Sequence, residues 1–138
     1  MDAQTRILIA DDHPIFREGL VKTIERDKTF TVIGQAGDGA EALKLITELR
    51  PDLAVLDVSM PVMNGFEAFG RIRANYFTKD IPIVMLTAIN EVEPGFGYNE
   101  EKMEKFLGVQ RPEGFVDKPV NSIFLLNTVF GVVGDGRI

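Results

Sequence analysis

The sequence has no cysteine, no tryptophan and only one histidine in 138 residues. Without cysteine it cannot form disulfide bonds or thiolate metal sites, which is usual in the reducing cytoplasm. No apolar run approaches the ~20 residues that cross a bilayer. The first residues also lack the basic and apolar regions of a signal peptide. We therefore expect a cytoplasmic protein with no membrane-spanning segment.

Positive charge is scarce as well. The chain has 15 Lys and Arg against 21 Asp and Glu, a formal net charge of −6. This balance, with no basic stripe, argues against direct nucleic-acid binding. A content of 45% apolar and 26% charged residues is typical of a globular domain. We expect a single domain over residues 1–138, with its folded part at about 5–133.

Short apolar runs recur along the chain, and most of them lead into polar side chains. Ile7 to Ala10 runs into Asp11-Asp12, Leu53 to Leu56 into Asp57, Ile83 to Leu86 into Thr87, and Phe115-Val116 through Asp117 into Lys118. Another run, Phe30 to Ala36, has no such residue at its end. Runs of this kind are typical of strands buried on both faces of a parallel sheet. Because ligands bind at the carboxyl ends of such strands, these polar residues are predicted to form a site.

Helix-like stretches separate these runs. Pro14 suits the first position of a helix, and Gly39 and Asn64-Gly65 precede two further stretches. Arg50-Pro51 stops the second stretch, and Ser122 to Val133 is apolar along one face. The βα alternation predicts a three-layer α/β fold, with right-handed crossovers that place helices on both faces of the sheet.

The residue types at the predicted site indicate a reaction class. Three carboxylates close together repel one another unless they share protons or hold a cation. Such ligands suit Mg²⁺, which combines one or two carboxylates with phosphate oxygens and water. Lys118 adds a point charge for a phosphoryl oxygen, and Thr87 adds a hydroxyl. Because a carboxylate is also a nucleophile, the residues predict Mg²⁺-assisted phosphoryl transfer onto a carboxylate.

Taken in order, these motifs resemble the receiver domain of two-component response regulators. The resemblance is carried by Asp11-Asp12, Asp57 with Met60-Pro61 and Met63-Asn64-Gly65, Thr87-Ala88 and Lys118-Pro119. It implies a doubly wound, flavodoxin-like receiver fold with five parallel strands in the order 2-1-3-4-5. The second strand would then lie at an edge, in agreement with its lack of a site residue.

The resemblance also implies a role for each site residue. Asp57 would be the phosphoacceptor, and its phosphoryl group would come from a histidine of a sensor kinase or a histidine phosphotransfer protein. The Mg²⁺ ligands would be Asp12, Asp57 and the backbone carbonyl of Ser59, with Asp11 acting largely through metal-bound water.

The remaining implied roles concern signalling. Lys118 would pair with the phosphoryl group, Thr87 and Phe115 would form the conformational switch, and the Lys118-Pro119 bond would be cis. The chain would then be a signalling phosphoacceptor rather than an enzyme acting on a separate substrate. Its output would pass to a downstream protein or to an effector domain absent from this sequence.

Other interpretations use the same residues. Asp11 and Asp12 could cap the first helix, and His13 fits a helix start or surface position better than a ligand or phosphoryl donor. A haloacid-dehalogenase-like phosphatase also has a nucleophilic Asp, but Asp57-Val58-Ser59 lacks the second acid of its Asp-x-Asp pair. A flavodoxin-like mononucleotide binder needs a hydroxyl- and glycine-rich loop where this chain has acids.

Residues 89–114 form an enlarged segment around the helix expected between the fourth and fifth strands. Glycine and proline interrupt this segment, and Asn99 to Leu107 is its best helix candidate. It holds six acids and three bases, a net charge of −3. We expect it to form a partner-specific output surface. The alternative is that its apolar side chains cover the adjacent sheet edge.

Overall fold

Five parallel strands and four helices make up the described part of the computed structural model, which comprises residues 4–88 and 111–135. The strands are β1 (Thr5–Ala10), β2 (Phe30–Ala36), β3 (Leu53–Asp57), β4 (Ile83–Ala88) and β5 (Gly114–Lys118). The helices are α1 (Pro14–Glu25), α2 (Gly39–Leu49), α3 (Gly65–Ala74) and α4 (Ser122–Asp135). The helix candidate Asn99 to Leu107 lies outside the described residues. Over residues 4–88 and 111–135, no helix has the length and apolarity required to cross a membrane.

The sheet has the order β2-β1-β3-β4-β5, and all four pairings are parallel. This order and the edge position of β2 confirm the fold expected from the motifs. The register pairs Ala10 with Leu56, Asp57 with Leu86, and Ala88 with Lys118. The carboxyl ends of the four strands that lead into polar residues therefore lie along one rim.

Two apolar layers cover the two faces of the sheet. Leu8, Leu56 and Met85 belong to the layer formed with α2 and α3, to which α3 contributes Phe66 and Phe69. The opposite layer contains Ile7, Ile9, Val55 and Val84 from the strands, Leu20 and Ile24 from α1, and Leu125 and Val129 from α4. Successive strand residues point to opposite faces, so strands covered on both sides need an apolar residue at every position.

Local signals fix most of the helix ends. Asp38 and Asn64 cap α2 and α3, because their side chains accept hydrogen bonds from the backbone N–H groups three residues later, each at 2.8 Å. Arg50 ends α2 in the left-handed region with φ 47°, directly before Pro51. The N-cap of α1 is His13, whose side chain makes no capping bond. Neither Asp11 nor Asp12 therefore serves as the cap of α1.

Gly39 allows the first turn of α2 to touch the loop between β3 and α3. A Cβ at this position would lie 2.0 Å from the carbonyl oxygen and 2.7 Å from the carbonyl carbon of Met63. Because backbone atoms cannot swing aside as a side chain can, we expect Gly39→Ala to lower the free energy of unfolding by about 3 kcal/mol. Chemical denaturation measures this loss.

Gly70 in α3 provides the matched control for that substitution. A Cβ at Gly70 would meet nothing within 4 Å. Gly70→Ala should therefore be neutral or raise the free energy of unfolding by up to about 1 kcal/mol, since alanine is the better helix former. Equal losses in the two variants would contradict the close contact at Gly39.

Candidate functional site

The acidic residues selected from the sequence come together at the rim formed by β1 and β3. Asp11 and Asp12 directly follow β1, and Asp57 is the last residue of β3. One possible ligand atom from each of Asp11, Asp12, Asp57 and His13 lies within 4.8 Å of the others. The structure therefore forms one acidic cluster from residues far apart in the chain.

Lys118, at the end of β5, connects two of these acids. Its Nζ atom lies 2.9 Å from Asp57 Oδ2 and 3.3 Å from Asp11 Oδ2. Both carboxylates are fully buried, and 18% of the Lys118 side chain is exposed. The ammonium group also lies over the ring of Phe16, 4.7 Å from its centroid, where a cation–π attraction contributes. A single cation thus bridges two buried carboxylates.

Backbone contacts hold the two buried acids in this orientation. Asp11 Oδ1 accepts a 2.8 Å hydrogen bond from the backbone N–H of His13, and its own carbonyl oxygen accepts one from Arg17 Nη1 at 2.7 Å. Asp57 Oδ1 accepts a 3.3 Å bond from the N–H of Ser59. The assignment of the Ser59 carbonyl as a metal ligand stays a prediction.

Gly65 brings the start of α3 against the backbone of Asp57. A Cβ at Gly65 would lie 2.4 Å from the Asp57 carbonyl oxygen, and the Gly65 N–H donates to the Val58 carbonyl at 2.9 Å. Gly65 is part of the Met63-Asn64-Gly65 motif noted in the sequence, and this close approach is its physical reason. Any larger residue would displace either α3 or the end of β3.

Burial and the neighbouring charges shift the pKa values of Asp57 and Lys118. It raises the pKa of Asp57 to about 7, while the hydrogen bond from Lys118 opposes that rise and the charge of Asp11 adds to it. Burial lowers the pKa of Lys118, but its hydrogen bond and charge interactions with Asp57 and Asp11 outweigh burial and raise it overall. With all three acids ionised, the cluster has more negative charge than Lys118 can balance.

Asp12 shows where further positive charge would fit. Its Oδ1 atom is buried and accepts no hydrogen bond within the described part of the chain, although His13 Nδ1 lies 3.0 Å from it. A buried carboxylate oxygen without a hydrogen bond is costly, and a hard divalent cation bound by carboxylate oxygens would satisfy it. The donor set of Asp11, Asp12 and Asp57 therefore fits Mg²⁺.

His13 lies closer to the acids than its sequence interpretation suggested. It begins α1 and its side chain is 68% exposed, as expected for a surface residue at a helix start. Its Nδ1 atom nevertheless lies 3.0 Å from Asp12 Oδ1 and 3.3 Å from Asp11 Oδ1. The signal in the sequence was its position directly after the acidic pair.

The two switch candidates lie on neighbouring strands. Thr87, near the end of β4, is buried, and its Oγ1 donates a 3.0 Å hydrogen bond to Asp117 Oδ1 on β5. Phe115 is half-buried and packs against the apolar layer formed with α2 and α3. Asp117 was not selected from the sequence, because its contact with Thr87 depends on the β4–β5 register. The Lys118-Pro119 bond is cis, as expected.

Comparison with known families and structures gives a consistent result. A family model described as the response regulator receiver domain matches residues 7–129. The solved receiver domain of the putative response regulator NarL from Mycobacterium tuberculosis is similar, with a TM-score of 0.79 and 29% identity, covering 99% of this chain and 100% of that one. The chemotaxis protein CheY4 of Vibrio cholerae has a TM-score of 0.75 and 34% identity, with 94% and 99% covered.

Curated relatives carry different outputs. The transcriptional regulatory protein YdfI of Bacillus subtilis is 43% identical over 86 residues, which are 62% of this chain and 39% of YdfI. A protein-glutamate methylesterase/protein-glutamine glutaminase of Myxococcus xanthus is 42% identical over 86 residues, covering 62% of this chain and 24% of that protein. The chain thus spans less than half the length of these relatives.

Proposed function

The chain belongs to the response regulator receiver domain family, and on that basis we propose that Asp57 accepts a phosphoryl group in a Mg²⁺-dependent reaction. The contact between buried Asp57 and Lys118 at 2.9 Å, beside two further acids, carries this proposal. One carboxylate oxygen of Asp57 forms a bond to phosphorus. The bond from phosphorus to its donor atom breaks, and its electron pair leaves with the donor.

The neighbouring residues divide the work of binding and charge stabilisation. Asp11, Asp12, Asp57 and the Ser59 carbonyl would hold Mg²⁺, which supplies positive charge shared with a phosphoryl oxygen. Lys118 already contacts Asp57 and is placed to meet the negative charge that develops on the transferred group. Thr87 and Phe115 then carry the signal. Thr87 lies on β4, which pairs with β3 and its acceptor, and Phe115 lies on β5, which pairs with β4.

The classes of partner follow from the family. The donor is a histidine on a sensor kinase or a histidine phosphotransfer protein. The output is a downstream protein or an effector domain, and residues 89–114 contribute a partner-specific surface. The receiver comprises about residues 5–133 and works in the cytoplasm. It does not bind nucleic acid directly, and it acts on no separate substrate. Family membership favours this function over the phosphatase and the mononucleotide binder.

Calorimetric titration with metal ions tests the site without any reaction. Wild type should bind one Mg²⁺, and Asp12→Asn should bind none detectably, since it removes the negative charge of a proposed ligand whose buried Oδ1 accepts no hydrogen bond in the described part of the chain. Asp80→Asn, an exposed acid remote from the cluster, is the matched control and should bind as wild type does. Mg²⁺ binding that survives Asp12→Asn would place the metal elsewhere.

His13 should affect which metal ions the site accepts. Imidazole nitrogen suits Ni²⁺ and Zn²⁺, whereas Mg²⁺ prefers oxygen. Because His13 Nδ1 lies 3.0 Å from Asp12 Oδ1, we expect His13→Asn to weaken Ni²⁺ binding by about tenfold. The same variant should change Mg²⁺ binding by less than about twofold. Equal losses for both ions would show that His13 acts only through the structure of the loop.

A further inference from the structure

The hydrogen bond between Thr87 and Asp117 is set by the sheet itself. The two residues are direct partners in the parallel β4–β5 register, so their side chains point to the same face. Thr87 Oγ1 donates to Asp117 Oδ1 at 3.0 Å. Thr87 is only 8% exposed, whereas Asp117 is exposed. Strand pairing therefore keeps a carboxylate beside the Thr87 hydroxyl.

This bond competes with the role proposed for Thr87. A threonine hydroxyl has a single proton to donate. While that proton is donated to Asp117, it cannot be donated to a phosphoryl oxygen on Asp57. We propose that Asp117 is a positioning residue that holds Thr87 in the resting conformation until a phosphoryl group on Asp57 takes over its hydrogen bond. This inference rests on the proposed phosphorylation of Asp57.

The position of Asp117 also connects this exchange to the rest of β5. Phe115 lies two residues earlier, so its side chain points to the same face of the strand as that of Asp117. Lys118 is the next residue, and it is bound to Asp57. Asp117 therefore lies between Phe115, the aromatic switch candidate, and Lys118, which contacts the acceptor. When the Thr87 hydroxyl leaves Asp117, the conformational change begins between these two residues. The strength of the Thr87–Asp117 hydrogen bond sets the equilibrium between the resting and the switched conformation of Thr87.

Beryllofluoride with Mg²⁺ tests the proposal, because it mimics a phosphoryl group and needs no kinase. Its dissociation constant is measured calorimetrically for wild type, Asp117→Ala, Asp117→Asn, Thr87→Val and the double variant Thr87→Val/Asp117→Ala. We expect Asp117→Ala to bind it about tenfold more tightly than wild type, since the population held in the resting conformation no longer reduces the apparent affinity. Asp117→Asn, which keeps an acceptor oxygen, should fall between the two.

The double variant separates the effect of the Thr87–Asp117 hydrogen bond on beryllofluoride binding from the effect of the charge of Asp117. With valine at position 87 there is no hydroxyl to hold, so Asp117→Ala should change the dissociation constant by less than about twofold. In metal-free samples, the Thr87 methyl NMR signal of Asp117→Ala should move toward its position in beryllofluoride-bound wild type.

The outcomes distinguish this inference from the proposed function. An equal gain with threonine or valine at position 87 would show that Asp117 acts only through its charge, and this would overturn the inference. No gain from Asp117→Ala would overturn it as well. If wild type failed to bind beryllofluoride with Mg²⁺, the phosphoacceptor function itself would fall, and the inference with it.

Discussion

Incubation with acetyl phosphate and Mg²⁺ is expected to add one phosphoryl group to the wild-type chain and none to Asp57→Asn. The substitution keeps the shape of the side chain but replaces the nucleophilic carboxylate with an amide. Intact-mass spectrometry measures the product directly. Chelation of the metal should abolish the added mass in wild type, because the reaction is proposed to depend on Mg²⁺.

We expect Asp57→Asn to fold, so that a failure to react would report on the missing carboxylate. Burial raises the pKa of Asp57 to about 7 from 3.8. An acid with a raised folded-state pKa loses stability as the pH rises from its unfolded value through the folded one. Above pH 7, without metal, Asp57→Asn should therefore be more stable than wild type, and thermal denaturation checks this.

The matched Asp80→Asn variant should still be phosphorylated. Added mass on Asp57→Asn would identify another acceptor.

Lys118→Ala is expected to slow phosphorylation by about 10²–10³-fold while leaving metal binding in place. Removing one preorganised group that stabilises developing charge costs on this order, and Lys118 is the cation in contact with Asp57. The initial rate of mass increase with acetyl phosphate measures the loss. Lys79→Ala, which removes an exposed lysine far from the site, should react as wild type does.

Comparison with two further variants distinguishes the role of Lys118 from those of Asp12 and Thr87. Asp12→Ala should lose both Mg²⁺ binding and phosphorylation, because it removes a proposed ligand. Thr87→Ala should keep Mg²⁺ binding and phosphorylation and should fail only to transmit the conformational change. Because Lys118→Ala leaves two buried acids without their shared cation, its fold is checked by thermal denaturation in excess Mg²⁺. Equal loss of metal binding in all three variants would refute this division of roles.

The sequence predicted the layers of the fold because burial on both faces leaves a simple pattern. The run Phe30 to Ala36 coincides with β2, and the apolar stretch before Asp57 coincides with most of β3. The strand order came from the family resemblance, because the apolar runs themselves do not specify which strands are neighbours. The order then brought Asp11, Asp57 and Lys118 together, as the motifs had indicated.

What the sequence did not predict depends on contacts between distant segments. The Thr87–Asp117 bond needs the β4–β5 register, and the approach of Gly39 to Met63 needs the packing of α2 against a loop. His13 was judged as a single histidine, although its ring position depends on how the chain turns into α1. The expectations for residues 89–110 lie outside the described part of the chain.

The bridge between Asp11 and Lys118 also has a consequence for biosynthesis. These residues are separated by 107 positions, and the lysine enters the site only when β5 docks beside β4. A ribosome-bound chain that has not yet exposed β5 has Asp57, the proposed acceptor, without the Lys118 cation beside it. If Asp57 is the acceptor, such a chain should be phosphorylated poorly, and the site should become competent only when its sheet is complete.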